Sequence, residues 1–314
     1  MNKPLIVLTG PTAVGKTKLS ISLAKAVNGE IISADSMQIY KYMDIGSAKI
    51  RPEEMDGVKH FLVDELLPNE EFHIVRFQQM AKSAMEEIYA KGKIPILVGG
   101  TGFYIQAITR DIDFTQAEQE DTYRAELEEL AKEKGAEYLH EELRKVDSKA
   151  AEEIHPNNVK RVIRALEFFH QNKTPISAHN QEQKEQTSPY NLVYFVLNAP
   201  RELLYERIEK RIDEMLEEGL VEEVAALKEK GCHRGMVSMQ GLGYKEILSY
   251  LEGELSLEEA VRILKRDTRH FAKRQLTWFR REQEVTWVEK EKFDFDDKKA
   301  LEFMLRVCKE KGII

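Results

Sequence analysis

Gly10, Pro11, Thr12, Ala13, Val14, Gly15, Lys16 and Thr17 match the pattern GxxxxGK[ST] at every fixed position. The chemistry of that pattern is anion binding. Its glycines let the backbone curl until its N–H groups point at phosphate oxygens, and the helix N-terminus behind them adds partial positive charge. Lys16 supplies a full charge, and the Thr17 hydroxyl is a ligand for Mg2+. The motif follows the apolar run Leu5–Leu8 and opens a helical stretch, Lys16–Val27, which is the strand–loop–helix context it requires. The loop therefore binds a polyphosphate or diphosphate group. It does not say which reaction follows.

In parallel α/β sheets, ligands sit beyond the carboxyl ends of the strands. Two more apolar runs end in unusual sequence. Ile31–Ile32 leads into Ser33, Ala34, Asp35, Ser36, Met37 and Gln38; Ile94–Val98 leads into Gly99, Gly100, Thr101 and Gly102. A parallel sheet turns all three ends toward one crevice. Asp35 there either helps hold Mg2+, acts as general base on a substrate, or caps a helix. Gly99–Gly102, with the Thr101 hydroxyl, is either a second backbone cradle for an anion or a plain strand-to-helix turn. No acidic residue follows Ile94–Val98, where NTP hydrolases often place a metal-binding aspartate. That weighs against an NTP hydrolase and leaves small-molecule kinases open.

Cationic residues form a second signal. Arg207 and Arg211 lie four apart, on one face of a helix that the pattern predicts over Ala199–Lys230, with Pro200 in its first turn and Gly231 as its stop. They suit a transferred or departing phosphate, while Glu214, Glu217 and Glu218 offer them ordinary ion pairs. Val261–Arg281 carries Arg262, Lys265, Arg266, Arg269, Lys273, Arg274, Arg280 and Arg281 against a single acid, Asp267. Val261, Leu264, Phe271 and Trp278 recur near helical spacing, so one stripe packs and the other faces are basic. On a chain of net charge −8 this concentration suits a nucleic-acid backbone. A solvated face paired with acidic helices is the alternative. A smaller set, Lys160, Arg161 and Arg164, lies beside Asn157 and Asn158.

The elements that must position these residues are legible too. With 314 residues, 42% of them hydrophobic, the chain has room for about two domains and a sizeable core. Cys232 and Cys308 are far apart, which argues against a disulfide framework or a structural zinc site and fits a reducing compartment. The N-terminal segment lacks a signal peptide's apolar stretch, and no run reaches the ~18 apolar residues of a membrane span, so a cytoplasmic enzyme is expected. Leu5–Leu8, Ile31–Ile32, Ile94–Val98, Leu192–Leu197 and, more weakly, Val285–Val288 are continuous apolar runs, as in strands covered on both faces. Phe72–Lys91 reads as a helix between them. The fold expected is α/β, a P-loop NTPase-like parallel sheet core (residues 1–110 and 190–314) flanked by helices, with an inserted all-helical subdomain at 111–189. The polar tract Asn180–Ser188 reads as a linker or mobile edge closing the insert.

Taken together, the motifs resemble the tRNA dimethylallyltransferases, also called tRNA isopentenyltransferases. The resemblance runs in order through GPTAVGKT (Gly10–Thr17), SADSMQIY (Ser33–Tyr40), GGTGFY (Gly99–Tyr104), HPNNVKRVIRALE (His155–Glu167), RIDEMLEEGLVEEV (Arg211–Val224), GLGYKEI (Gly241–Ile247) and RHFAKRQLTW (Arg269–Trp278). Departures are slight: Phe103 stands where leucine is expected, and there are no zinc-finger cysteines of the eukaryotic kind, so the likeness is to the bacterial form. The resemblance implies transfer of a dimethylallyl group from its diphosphate to N6 of the adenosine 3′ to the anticodon. The phosphate loop then holds a leaving group, with Mg2+ on Thr17. It implies Asp35 as the base, Thr101 at the bridging oxygen, and Lys16 and Arg211 on the diphosphate. It further implies tRNA contacts by Asp35, Ser36, Met37, Gln38, Arg124, Lys160, Arg161, Arg164, Gly243, Tyr244, Lys265, Arg269 and Lys273. One active site per chain lets a monomer suffice. A nucleoside kinase or a prenyltransferase of free adenine nucleotides shares the loop but leaves the basic helix unexplained, and a GTPase-like RNA-binding module would need a guanine-specificity motif that is not found.

Overall fold

The computed structural model describes residues 2–114, 121–185 and 187–314. The chain divides into two compact units, Met1–Thr109 with Pro189–Ile314, and Arg110–Ser188.

The first unit is built on a six-stranded parallel sheet. Its strands are β1 (Pro4–Thr9), β2 (Gly29–Ser33), β3 (His60–Phe61), β4 (Ile94–Gly99), β5 (Asn191–Asn198) and β6 (Val285–Glu289), in the order β3-β2-β4-β1-β5-β6. Leu5, Ile6, Val7 and Leu8 of β1 are fully buried because β1 is central and covered on both faces. Each such side chain contributes about 1.5–3 kcal/mol by leaving water. Two apolar clusters form the covering layers. One joins Leu5, Val7, Ile32 and Leu97 to the helices α2 (Ile74–Ala90), α3 (Gly102–Thr109), α9 (Arg201–Glu217), α10 (Leu220–Glu229), α11 (Tyr244–Leu251) and α12 (Leu257–Phe279). The other joins Ile6, Leu8, Ile96 and Phe195 to α1 (Lys16–Ala26) and α13 (Asp297–Glu310).

The second unit is helical: α4 (Asp121–Lys134), α5 (Ala136–Val146), α6 (Ser148–Glu153), α7 (Val159–Asn172) and α8 (Ile176–Glu185). Leu139, Leu143, Val162 and Ile163 form its core. Buried Asp147 caps α6 through the Ala150 N–H and accepts from the N–H and hydroxyl of Ser177, tying α8 to the α5–α6 corner. No described helix is long and apolar enough to cross a membrane.

Three sequence expectations need correction. The helix over Ala199–Lys230 is two helices, because Gly219 adopts φ 103°, a left-handed conformation that ends α9 and turns the chain into α10. The tract at 180–188 is helical as far as Glu185: Ile176–Glu185 contains neither glycine nor proline, and its Glu, Gln, Lys and Ala residues form helix readily. Residue 186 lies outside the described residues. Strand β3 adds a sixth strand to the five apolar runs: it is His60–Phe61, and a single apolar residue makes no run.

Candidate active site

Register places the strand ends side by side. Thr9 pairs with Gly99 and Ser33 with Val98, so the three loops leave the sheet at one level. The Thr9 hydroxyl donates to the Gly99 carbonyl at 2.6 Å, and the Ala34 N–H to the Val98 carbonyl at 2.7 Å. The first loop curls through Ala13 at φ 63° and Gly15 at φ 91° before α1 begins. A left-handed alanine is strained backbone, of the kind found where a loop is shaped for a ligand.

The Lys16 ammonium folds back onto this loop, donating to the carbonyls of Gly10 and Pro11 at 2.9 Å each. Burial lowers its pKa to about 8; Asp35 opposes that shift and Arg211 adds to it. Asp35 and Arg211 thus both lie within electrostatic reach of Lys16. Asp35 is pushed above the usual carboxylate range, chiefly by burial, against the N–H groups of Met37 and Gln38 and the charge of Lys16. Its Oδ1 accepts from the Met37 N–H at 2.8 Å. No helix follows it, so the helix-cap reading of Asp35 does not apply. Arg211, on α9, is likewise driven toward its neutral form by burial, with Glu214 opposing.

Thr101 begins the third loop. Its N–H donates to the Ala34 carbonyl, and its own carbonyl starts α3 by accepting from Tyr104 and Ile105. The Gly99–Gly102 segment is thus a strand-to-helix turn, with the partly buried Thr101 side chain beside the Asp35 loop. Thr17 is exposed in the first turn of α1, and its hydroxyl has no protein partner among the described residues. Mg2+ with phosphate keeps several waters and takes one or two protein oxygens. A free hydroxyl at the phosphate loop, with no cluster of metal-ligating side chains among the described residues, fits that demand.

Of the predicted RNA contacts, Ser36, Met37 and Gln38 line the second loop, partly exposed. Lys160 and Arg161 are exposed on α7 and Arg164 is half-buried there. Arg124 pairs with Glu128 at 3.4 Å and lies 3.6 Å from buried Glu167. On α12, Lys265 pairs with Asp213 at 2.6 Å and Arg269 with Glu209 at 2.5 Å, while Lys273 is exposed with no ion pair among the described residues. Lys273 lines a groove of about 360 Å3 with His270, Arg274, Thr277, Trp278 and Arg281. Gly243 and Tyr244 are a correction: both are buried, Tyr244 completely, with its hydroxyl donating to Glu223 at 2.8 Å. In this structure the Tyr244 side chain is part of the site's framework and is not exposed.

Three residues passed over in the sequence belong to the framework of the site. Glu223 accepts from the N–H groups of Asp44, Ile45 and Gly46, pinning the chain that follows the Asp35 loop. Buried Lys290 ends 2.7 Å from Asp297, with its ammonium against Gly15 of the phosphate loop. Gln275, on α12, reaches both the first and third loops. A glutamine on the otherwise apolar stripe Ala260, Leu264, Ala272 and Phe279 was the available signal for it.

Fold and site together define an α/β protein with a phosphate-loop motif at the carboxyl end of its parallel sheet, beside a carboxylate. The model of the IPP transferase family matches residues 38–282. The chain belongs to that family. It is 62% identical over 312 residues to a tRNA dimethylallyltransferase of Lachnoclostridium phytofermentans, with 99% of each chain covered. The full-length tRNA isopentenylpyrophosphate transferase of Bacillus halodurans superposes with TM-score 0.74 at 45% identity, covering 99% of this chain and 98% of that one. A eukaryotic dimethylallyltransferase acting on tRNA gives TM-score 0.79 at 31% identity, over 91% of this chain and 74% of that one.

Proposed function

We propose that the chain transfers a dimethylallyl group from dimethylallyl diphosphate to N6 of the adenosine 3′-adjacent to the anticodon of tRNA, releasing diphosphate. The observation that carries this reading is Lys16 of the phosphate loop lying within the electrostatic reach of both the Asp35 carboxylate and the Arg211 guanidinium. A phosphoryl transferase needs its base beside a hydroxyl. On this reading the Asp35 carboxylate, its basicity raised by burial, serves the carbon that leaves the diphosphate oxygen.

An adenine amino group is a weak nucleophile. Asp35 accepts a hydrogen bond from it and takes its proton as the N6–C bond forms and the C–O bond breaks. Lys16 and Arg211 stabilise the charge that grows on the departing diphosphate, and Thr101 donates to the bridging oxygen. Mg2+ on Thr17, when bound, neutralises part of the same charge. Ser36, Met37 and Gln38 contact the bases that flank the extruded adenosine, since chemistry on a base requires its removal from the stack. Arg124, Lys160, Arg161, Arg164 and the α12 cations meet the RNA backbone. The enzyme is cytoplasmic on this reading, and a monomer suffices.

The test is a labelled transfer assay with Mg2+ and dimethylallyl diphosphate, offering unmodified tRNA or AMP. Label in tRNA alone is expected. Label in AMP assigns the protein to free nucleotides. ATP consumed against small hydroxyl acceptors, with no prenyl transfer, assigns it to the kinases.

A further inference from the structure

The proposed donor lies between the phosphate loop and the Gly99–Gly102 turn, so the gap between these loops sets where the leaving group sits. Beyond the last strand residues, no ladder bond holds that gap. Gln275 spans it. Its Oε1 accepts from the Thr12 N–H at 2.9 Å and its Nε2 donates to the Gly100 carbonyl at 3.0 Å. An N–H demands an acceptor and a carbonyl a donor, so only one orientation of the amide satisfies both. The residue is 6% exposed.

The fit around this amide is tight on both sides. A Cβ at Gly100 would stand 2.1 Å from the Gln275 Nε2, and one turn along α12 a Cβ at Gly102 would stand 2.3 Å from Trp278. A buried amide costs desolvation that a leucine or methionine on the same apolar stripe would not. The Oε1 bond also takes up the Thr12 N–H, so that group is fixed by the protein and is not left for phosphate. The neighbouring residues, Lys273 and Arg274, are exposed on the opposite side of the helix.

We infer that Gln275 is a positioning residue: it clamps the phosphate loop to the Thr101 loop and so fixes the donor diphosphate between Lys16 and Thr101. The inference rests on the proposed prenyl-transfer reading. It makes α12 a two-sided element, with cations outward and the clamp inward.

The experiment uses the full chain with Mg2+, dimethylallyl diphosphate and unmodified tRNA, and compares Gln275→Met, Gly100→Ala, Gln275→Ala and the double variant Gly100→Ala/Gln275→Ala. Gln275→Met is expected to lower kcat about 10- to 100-fold, the cost of a small misplacement at a reacting centre. It is also expected to raise the KM for dimethylallyl diphosphate while tRNA affinity stays within about twofold. Gly100→Ala should reproduce the loss in the wild-type background and cost little where Gln275 is already alanine, since its clash partner is gone. Donor kcat/KM within about twofold of wild type for Gln275→Met, or additive losses in the double variant, would overturn the clamp. If Gln275→Met does not fold, Gln275→Glu is read in its place: it keeps the acceptor for Thr12, loses the donor to Gly100, and should raise the donor KM. A wild-type protein that transfers no prenyl group to tRNA sinks the functional reading instead. Titration with inorganic diphosphate then decides the clamp alone: affinity about tenfold weaker in Gln275→Met supports it, and equal affinity refutes it.

Discussion

The phosphate edge and the outer face of α12 both collect charge, and they treat it in opposite ways. At the edge, Lys16, Asp35 and Arg211 are each displaced toward the neutral form, and burial is the leading cause for all three. On α12, Arg262 pairs with Glu259, Lys265 with Asp213, Arg266 with Asp267 and Arg269 with Glu209. Charge partly withheld from water and without an ion pair among the described residues favours an arriving anion, and such groups cluster at functional sites. Charge already paired at the surface contributes little and yields its partner only at a cost. A count of basic residues therefore locates neither site. What separates them is how far each charge is already compensated, and along α12 compensation ends before Lys273, Arg274 and Arg281, which have no ion pair among the described residues.

The largest effect belongs to the edge. Asp35→Ala should lower the chemical rate by about 10²–10⁴, the range for a general base, with tRNA affinity held within a few fold; single-turnover transfer and a binding titration check it together. Normal turnover would strip Asp35 of its role and with it the contrast between the two regions. Arg211→Ala should follow, at about 10²–10³ in kcat, as for other groups that meet developing charge in a dry site. Lysine at 211 should restore only part, since it lacks the planar fork.

The edge should also show itself in pH. A lysine with its pKa at about 8 in the free enzyme is charged below that value and loses its proton above it. Donor kcat/KM should then fall above about pH 8, roughly tenfold per unit, while kcat stays flatter because bound diphosphate restores the charge. Lys16→Arg, charged throughout, should remove this limb. If the limb persists in that variant, the group responsible is elsewhere. On the acid side, Asp35 must be ionised to act, and its raised pKa places the acid limb above the ordinary carboxylate range.

What was legible in the sequence follows the same division. The central strands were plain because burial on both faces leaves unbroken apolar runs, and the phosphate loop because its backbone geometry demands glycine and lysine at fixed positions. The break at Gly219 was not, because one glycine in a strongly helical stretch reads equally as tolerated or as a stop until its φ is known. The bonds of Gln275 were not, because its two partners lie 263 and 175 residues away in sequence. Tyr244 carried a family motif but no sign of its depth; only the packing around Glu223 and Gly46 shows it to be interior. The basic helix was legible as charge and illegible as pairing, since Asp213 and Glu209 come from α9.

That last gap gives the smallest and most discriminating prediction. Each lysine or arginine that neutralises a phosphate releases counterion and steepens the fall of log K with log salt by about one unit. Lys273 and Arg281 meet solvent without an ion pair among the described residues and line one groove with Trp278. Lys273→Ala with Arg281→Ala should therefore weaken tRNA binding several fold and flatten the salt slope by about two. Lys265→Ala with Arg269→Ala removes the same formal charge but also frees Asp213 and Glu209. If those pairs persist in the complex, the slope should change by less than half as much. Equal slopes would mean that RNA draws Lys265 and Arg269 off their carboxylates, and that the pairing seen here is the resting state of a surface recruited along its whole length.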